Sequence, residues 1–484
     1  MFMLEQLEPK AVFSYFEKIC SIPHGSGNIQ RISNYLVEFA KERNLEYIQD
    51  DVYNVIIKKD ASKGYEEKEP VILQGHMDMV AVKKPDCNKD LLTDPLDVRI
   101  EGDFVYAKGT SLGGDDGIAV AYALALLDSE EIPHPPLEVV ITVEEEVGME
   151  GALAIDLSSL KGKRLLNIDS EKEGELTVSC AGGMRINGLL PVQWKDIQED
   201  FLGMEIILTG LVGGHSGVEI HKNRGNANIL MGTLLQKLSE KADIALAALE
   251  GGTKDNAIPR EAKAVVFFRQ EQQESCEGAL REIEKELKEA YGETDRELHI
   301  IFQEVKKQPE QKALEAASME KLIKLLCTVP NGVQAMSQKL EGLVETSLNL
   351  GIMLLNEEKF STAFSLRSSV VSKKEALREQ ITDILDSLGA TYSFSGDYPA
   401  WEYKEDSPLR DAFIEVYENM YGEKPTVLSV HAGLECGILA GKIKDLDSVS
   451  FGPDMENIHT TEEKLSISST KRVWEFLLAL LKAL

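Results

Sequence analysis

The chain has 484 residues, 43% of them apolar, and its 82 acidic against 52 basic side chains leave a formal charge of −30. That length exceeds one ordinary core, so two domains are expected. A negative charge of this size opposes phosphate backbones and anionic lipid, which argues against nucleic acid or membrane as a partner.

From the N-terminus, the periodicity predicts a helix over Pro9 to Ile19, then strands over Val52 to Lys58 and Pro70 to Gln74. Glu5, Glu8 and Lys10 interrupt any apolar run at the start, so neither a signal peptide nor a membrane span is expected there. Gly117 to Asp128 (GIAVAYALALLD) is apolar on nearly every side and should form a helix buried against a sheet. Leu137 to Val143 and Arg164 to Ile168 are uninterrupted apolar strands, each running straight into an acidic patch. Such alternation suits an α/β sheet covered on both faces.

After Gly182-Gly183 the character changes. Strands such as Glu205 to Leu208 and Lys263 to Phe268 alternate with amphipathic helices such as Cys276 to Tyr291 and Lys373 to Leu388, and the charged segment Gln270 to Gln311 reads as a solvated face. From Tyr398 the α/β pattern resumes, with a helix over Pro408 to Met420 capped by Ser407 and a last one from about Thr470 to Leu484. No internal repeat or heptad run is visible. The expected organisation is an α/β domain of residues 1–183 and 398–484, its mixed sheet flanked by helices, interrupted by an inserted α+β domain of residues 184–397. The six cysteines are scattered without a C-x-x-C pair, as reduced thiols would be, and a cytoplasmic protein is expected.

The chemistry lies in five patches: Gly75-His76-Met77-Asp78, Gly114-Asp115-Asp116-Gly117, Glu144-Glu145-Glu146, Ile168-Asp169-Ser170-Glu171 and Asn457-Ile458-His459. Imidazoles with several carboxylates and no cysteine form the ligand set of a two-metal hydrolytic site. His76 and Asp78, two apart at a strand end, point the same way, so Asp78 can take the other ring N–H of a ligating His76. Asp115 sits in a glycine-flanked turn, where a carboxylate can bridge two cations or merely cap the following helix. The Glu144-Glu145-Glu146 run forces anions to the end of a buried strand, and alternation would let Glu145 and Glu146 divide the labour, one holding metal and the other taking a proton from bound water. Asp169 repeats the arrangement after RLLNI, and capping is its alternative. His215, in Gly213-Gly214-His215-Ser216-Gly217, reads either as an active-site donor or as loop filler; His24, His134, His221 and His299 take ordinary structural readings.

The order GHMDMV, GGDDG, EEEVG, IDSE, GGHSG and a late histidine resembles the co-catalytic zinc peptidases that include glutamate carboxypeptidase, aminoacylase and peptidase T. The length, the AGGM junction, VHAGLECG and GDYPAW resemble more narrowly their bacterial aminoacyl-histidine dipeptidase branch, over essentially the whole chain. One local departure, at Gly114 and Asp116, bears only on which aspartate bridges, and Asp115 is retained.

That resemblance implies a two-zinc peptidase-type catalytic domain interrupted by a lid, through which relatives dimerise, so a homodimer is expected. It makes His76, Asp115 and Asp169 the ligands of one zinc, and Asp115, Glu146 and His459 those of the other. Asp78 would orient His76, and Glu145 would be the general base. His215 would help polarise the scissile carbonyl, with the partner subunit as one source, and Asn256, Arg367 and Gly433 look like contacts to the substrate carboxylate and backbone. Mn²⁺ or Co²⁺ would also suit such ligands. The implied activity is metal-dependent hydrolysis of Xaa-His dipeptides, including carnosine-like ones. The rivals are an aminoacylase or tripeptidase and a non-catalytic peptide-binding protein on the same scaffold.

Overall fold

A computed structural model describes residues 3–308, 310–340 and 342–484. Met1 and Phe2 of the N-terminal reading, and Pro309 of the charged segment, lie outside the described residues. The chain divides into two compact units, the first made of residues 1–180, 403–429 and 434–484, the second of residues 181–402 and 430–433.

The first unit is built on an eight-stranded mixed sheet. Its centre is parallel: Val71–His76 lies between Leu137–Thr142 and Arg164–Asn167, and Asp447–Ser450 follows beside the latter. Val55–Lys59 runs antiparallel against Leu137–Thr142, which makes the sheet mixed. The parallel register sets His76 opposite Thr142, and Asn167 opposite both Gln74 and Ser450. These carboxyl ends therefore lie along one edge, where open α/β sheets gather ligands.

Helix Gly114–Asp128 is buried along nearly its whole length, as its all-round apolar sequence requires. Tyr122 stacks on Trp474 at 5.7 Å, which ties that helix to the last one, Ile467–Ala483. Helix Pro408–Tyr421 begins as expected, with Ser407 Oγ accepting the Arg410 N–H at 3.1 Å, and its Phe413 packs edge-on to Phe476 at 4.5 Å.

The second unit carries a nine-stranded sheet in which two copies of one topology stand end to end. The inner half runs strand Phe201–Thr209, helix Ala227–Lys241, strands Ala245–Gly251 and Ala262–Arg269, helix Gln273–Tyr291, strand His299–Val305. The outer half runs strand Gly182–Pro191, helix Ala316–Thr328, strands Val344–Leu355 and Lys359–Ser368, helix Val371–Leu388, strand Thr391–Tyr398. Each is a βαββαβ unit with its strands in the order fourth, first, third, second. Their second strands meet antiparallel, with Glu250 opposite Leu354 and Gly251 opposite Met353. The inner half follows the outer half's first strand in the chain, so it is an insertion within the outer one. This repeat of topology has no counterpart in the sequence reading, because apolar patterning alone defines each strand and helix without repeating any residue string.

Candidate functional site

In the first unit the carboxyl ends of the parallel strands carry the ligand-type side chains. Gly75 precedes His76 because a Cβ there would strike Asp116 Oδ2 and Ala119. His76 is 1% exposed; its Nδ1 bonds the backbone carbonyl of Asp78 at 3.0 Å and its Nε2 reaches Asp115 Oδ1 at 3.0 Å and Asp169 Oδ1 at 3.5 Å. The Asp78 carbonyl thus lies nearer that ring than the Asp78 carboxylate, at 3.6 Å. The carboxylate instead accepts the backbone N–H of Glu145 at 3.1 Å and of Glu146 at 3.4 Å, and the Ser26 hydroxyl at 2.8 Å.

Asp115 divides its two oxygens between two imidazoles: Oδ2 reaches His459 Nε2 at 3.1 Å, while Oδ1 holds His76. His459 Nε2 also lies 2.9 Å from Glu146 Oε2. Neither Asp115 nor Asp116 caps the helix that follows. Glu463 instead holds the turn before the helix, its carboxylate accepting the N–H groups of Leu112 at 2.8 Å, Gly113 at 3.1 Å and Gly114 at 2.8 Å. Asp115 is thereby left extended and free to face the imidazoles. The Glu144-Glu145-Glu146 run is a turn rather than a strand, with Glu144 at φ 56° and bonded to Gly27 N–H at 2.8 Å. A turn, not strand alternation, separates the three carboxylates.

Electrostatically the cluster attracts positive charge. Burial opposes protonation of His76, but Asp169, Asp115 and Asp78 outweigh it and hold the ring's pKa well above the usual imidazole value. Hydrogen bonds to Asp115 and Glu146 lift His459 to about 10. Burial, reinforced by Asp115 and Glu146, pushes Asp169 up to about 6, and burial with neighbouring carboxylates raises Glu145 well above its ordinary value. Glu146 Oε1 is buried with no hydrogen-bond partner among the described residues. Ligand atoms of Asp115, Glu146 and His459 lie within 4.8 Å of one another, as do those of His76, Asp116 and Asp169, and those of His76, Glu145 and Glu146. Hard oxygen and imidazole donors so arranged, with an orphaned carboxylate oxygen among them, fit divalent cations.

Behind His76 lies a polar relay with no sequence signal. Gln74 and Thr142 both donate to Glu435 Oε2, at 2.5 and 2.6 Å, and Asn167 donates to Gln74 at 2.6 Å. Glu435 belongs to the VHAGLECG string, but nothing local distinguishes it from a helix-opening glutamate.

The second unit brings together a different set. Arg367 is 9% exposed and donates to the Tyr398 hydroxyl at 2.8 Å, while its Nε has no partner among the described residues. Across the ladder from Arg367 stands Ser347, whose hydroxyl bonds His431 Nε2 at 2.7 Å. Burial, with Arg367 and His215 nearby, lowers His431 to about 3. His215 Nδ1 accepts the N–H groups of Gly217 at 3.1 Å and Val218 at 3.2 Å, so Nε2 carries the ring proton. Burial and Arg367 lower its pKa and keep that ring neutral. Asn256 lies on the hairpin that pairs with His215, its carbonyl accepting Ser216 N–H at 2.9 Å. Gly433 is half-buried, on the short segment that also carries His431. His431, Ser347 and Tyr398 were missed by sequence reasoning; only GDYPAW and VHAGLECG pointed near two of them.

A model of the peptidase family M20/M25/M40 matches residues 72–483, and the chain belongs to that family. It is 37% identical over 483 residues to the cytosol non-specific dipeptidase of Escherichia coli (strain K12), covering 99% of this chain and 98% of the relative. The structure superposes with a TM-score of 0.93 on the aminoacylhistidine dipeptidase of Vibrio alginolyticus, at 38% identity, covering 99% of this chain and 98% of the other. With the aminopeptidase PepT of Bacillus cereus it shares the fold alone, at a TM-score of 0.56 and 16% identity over 99% of each chain. The resemblance read from the six motifs, the α/β peptidase fold and the peptidase class are thereby borne out. Among the described residues no helix is long and apolar enough to cross a membrane.

Proposed function

We propose that this protein is a metal-dependent dipeptidase, cleaving the peptide bond of Xaa-His dipeptides, carnosine-like ones included. The observation that carries the reading is Asp115, whose two oxygens face two imidazoles, each with a further carboxylate at hand. Relatives of 37% and 38% identity that span nearly the whole chain, and whose names describe dipeptidases, support it.

In this reading His76, Asp115 and Asp169 hold one ion, and Asp115, Glu146 and His459 the other. Zinc is the preferred ion, with Mn²⁺ or Co²⁺ as alternatives. Bound there, two divalent ions supply Lewis acidity and lower the pKa of a coordinated water. Asp78 anchors the turn that carries Glu145 and Glu146, and its backbone carbonyl fixes the His76 tautomer. Glu145 takes a proton from the attacking water and returns it to the leaving amine. Burial and neighbouring carboxylates raise its pKa, which strengthens it as a proton acceptor. The neutral His215 donates Nε2–H to the scissile carbonyl. Arg367 binds the substrate carboxylate, and Asn256 and Gly433 contact the substrate backbone.

The first unit is the catalytic domain in this proposal and the second its lid and dimerisation domain, in a cytoplasmic protein. A mass of two chains by light scattering supports the homodimer, and a mass of one chain removes it.

The test is release of free histidine from β-Ala-His and Leu-His by metal-stripped protein, before and after addition of Zn²⁺ or Mn²⁺. Metal-dependent release supports the dipeptidase. Release only from N-acyl amino acids or tripeptides transfers the site to that substrate class, and metal binding without any hydrolysis leaves a peptide-binding protein.

A further inference from the structure

We infer that Glu435 is a positioning residue for the cation cluster: one of its carboxylate oxygens ties together the three strand ends that lead into His76, the Glu145 and Glu146 turn, and Asp169. The inference rests on the proposed metal site, and its geometry lies wholly within the first unit.

Strands Val71–His76, Leu137–Thr142 and Arg164–Asn167 run parallel and end side by side. The backbones keep pairing for one residue more, with Ile168 N–H donating to Gln74 O at 3.0 Å and Met77 N–H to Thr142 O at 2.9 Å. There the ladder stops, and register no longer sets where the ligand-type side chains lie.

A layer of polar side chains takes over directly beneath them. Gln74 lies two residues before His76, Thr142 two before Glu144, and Asn167 two before Asp169. Residues two apart share a strand face. Gly75 faces Asp116 and Ala119 of helix Gly114–Asp128, so Gln74 and His76 look to the opposite side, where Glu435 enters.

The layer has a direction. Asn167 Nδ2 donates to Gln74 Oε1 at 2.6 Å, which leaves Gln74 its amide N–H to turn outward, and Nε2 donates to Glu435 Oε2 at 2.5 Å. The Thr142 hydroxyl donates to that same oxygen at 2.6 Å. Such a chain of donors must end on an acceptor, and an ionised carboxylate only accepts. One oxygen thus gathers two strands directly and the third through Gln74.

A glutamate in the first turn of a helix ordinarily serves the helix dipole from the surface. Glu435 opens helix Glu435–Lys442, yet it is 0% exposed, and the oxygen that is bonded accepts side chains of the sheet. Its other oxygen has no partner among the described residues. Burying a carboxylate is costly, so a helix start alone would not call for one here. Without it, two buried donors from neighbouring strands are left facing each other, just below His76 and Glu144.

The test uses the full chain, stripped of metal and titrated with Co²⁺ against a chelator, with the visible absorption of the Co²⁺-loaded protein recorded alongside. Glu435→Leu should weaken Co²⁺ binding by about 10–100-fold and shift the absorption bands. Glu435→Gln, whose amide oxygen still accepts both donors, should bind within about threefold of wild type with unshifted bands. Thr142→Val removes one donor, keeps the shape, and should fall between the two.

Unfolding midpoints of the metal-free proteins are measured in parallel. A relay that serves stability alone would lower the midpoint of Glu435→Leu while leaving affinity and bands as in wild type, which overturns the inference. Equal impairment of Glu435→Gln and Glu435→Leu overturns it as well. Should Glu435→Leu not fold, Thr142→Val decides, and wild-type affinity with wild-type bands in that variant is the contrary result. If wild-type protein binds Co²⁺ but cleaves no dipeptide, the proposed function fails while the affinity series still decides the role of Glu435. If it binds no Co²⁺, the inference falls with the metal site.

Discussion

The ligand-type carboxylates of the first unit sit in turns that leave parallel strands at one edge, whereas Arg367, Ser347 and His215 of the second sit on or beside paired strands. The first cluster is anionic and lifts the pKa values of its own histidines; in the second, burial and then the charge of Arg367 depress those of His215 and His431. Turns at strand ends can crowd like charges because only backbone amides and counter-charges restrain them, as Asp78 restrains Glu145 and Glu146. Ladder positions fix a side chain by register, which suits one guanidinium held at a set distance from a neighbouring strand. The contrast separates an anionic cluster, which favours cations, from a buried cationic one, which favours an anion.

Five measurements would break or sharpen that contrast. The largest effect is expected at Glu145: Glu145→Gln should lower kcat by about 10²–10⁴-fold while metal content, read by elemental analysis, stays at the wild-type level. Full activity would remove Glu145 from proton transfer. Next, Arg367→Gln should cost about 2–5 kcal/mol in kcat/KM for free dipeptides and much less for dipeptide amides, since the amide lacks the paired charge. Equal losses on both would end its role as the carboxylate site.

Glu463→Gln should weaken metal binding by roughly 10–100-fold in competition with a chelator, because the turn that carries Asp115 loses its anionic anchor. Unchanged affinity would show that Asp115 keeps its place without it.

A smaller effect concerns pH. His431 is held neutral to about 3 in the folded chain against 6.5 as its ordinary value, so below 6.5 the unfolded chain binds the extra proton. Its contribution is fully present above 6.5 and is lost as the pH falls toward 3, at up to about 1.4 kcal/mol per pH unit. The unfolding midpoint of wild-type protein, compared with that of His431→Gln from pH 7 to 5, should fall more steeply, and parallel curves would contradict the assignment. Last, Ser407→Ala should cost about 1 kcal/mol of stability through the lost helix cap without altering kcat.

Legibility followed the range of the interactions. His76, Asp115, Glu146, Asp169 and His459 stood out because each adjoins an apolar strand or a glycine turn within a few residues, and the structure brings all five together. Glu463 and Glu435 were invisible because the groups they serve lie hundreds of residues earlier. The Asp78 carboxylate, read as the partner of His76, lies 3.6 Å from its Nδ1, and its bonds to the Glu145 and Glu146 amides had no sequence signal. The doubled βαββαβ plan escaped because one copy interrupts the other and no residue string recurs.

Glu463 and His459 share one loop, so the turn that offers Asp115 and the imidazole that receives it are both finished by residues near 460. During synthesis the doubled sheet of residues 181–402 is complete well before that loop leaves the ribosome. The core of the doubled sheet can therefore be packed while the cluster of Asp115, Glu146 and His459 still awaits the loop that joins it.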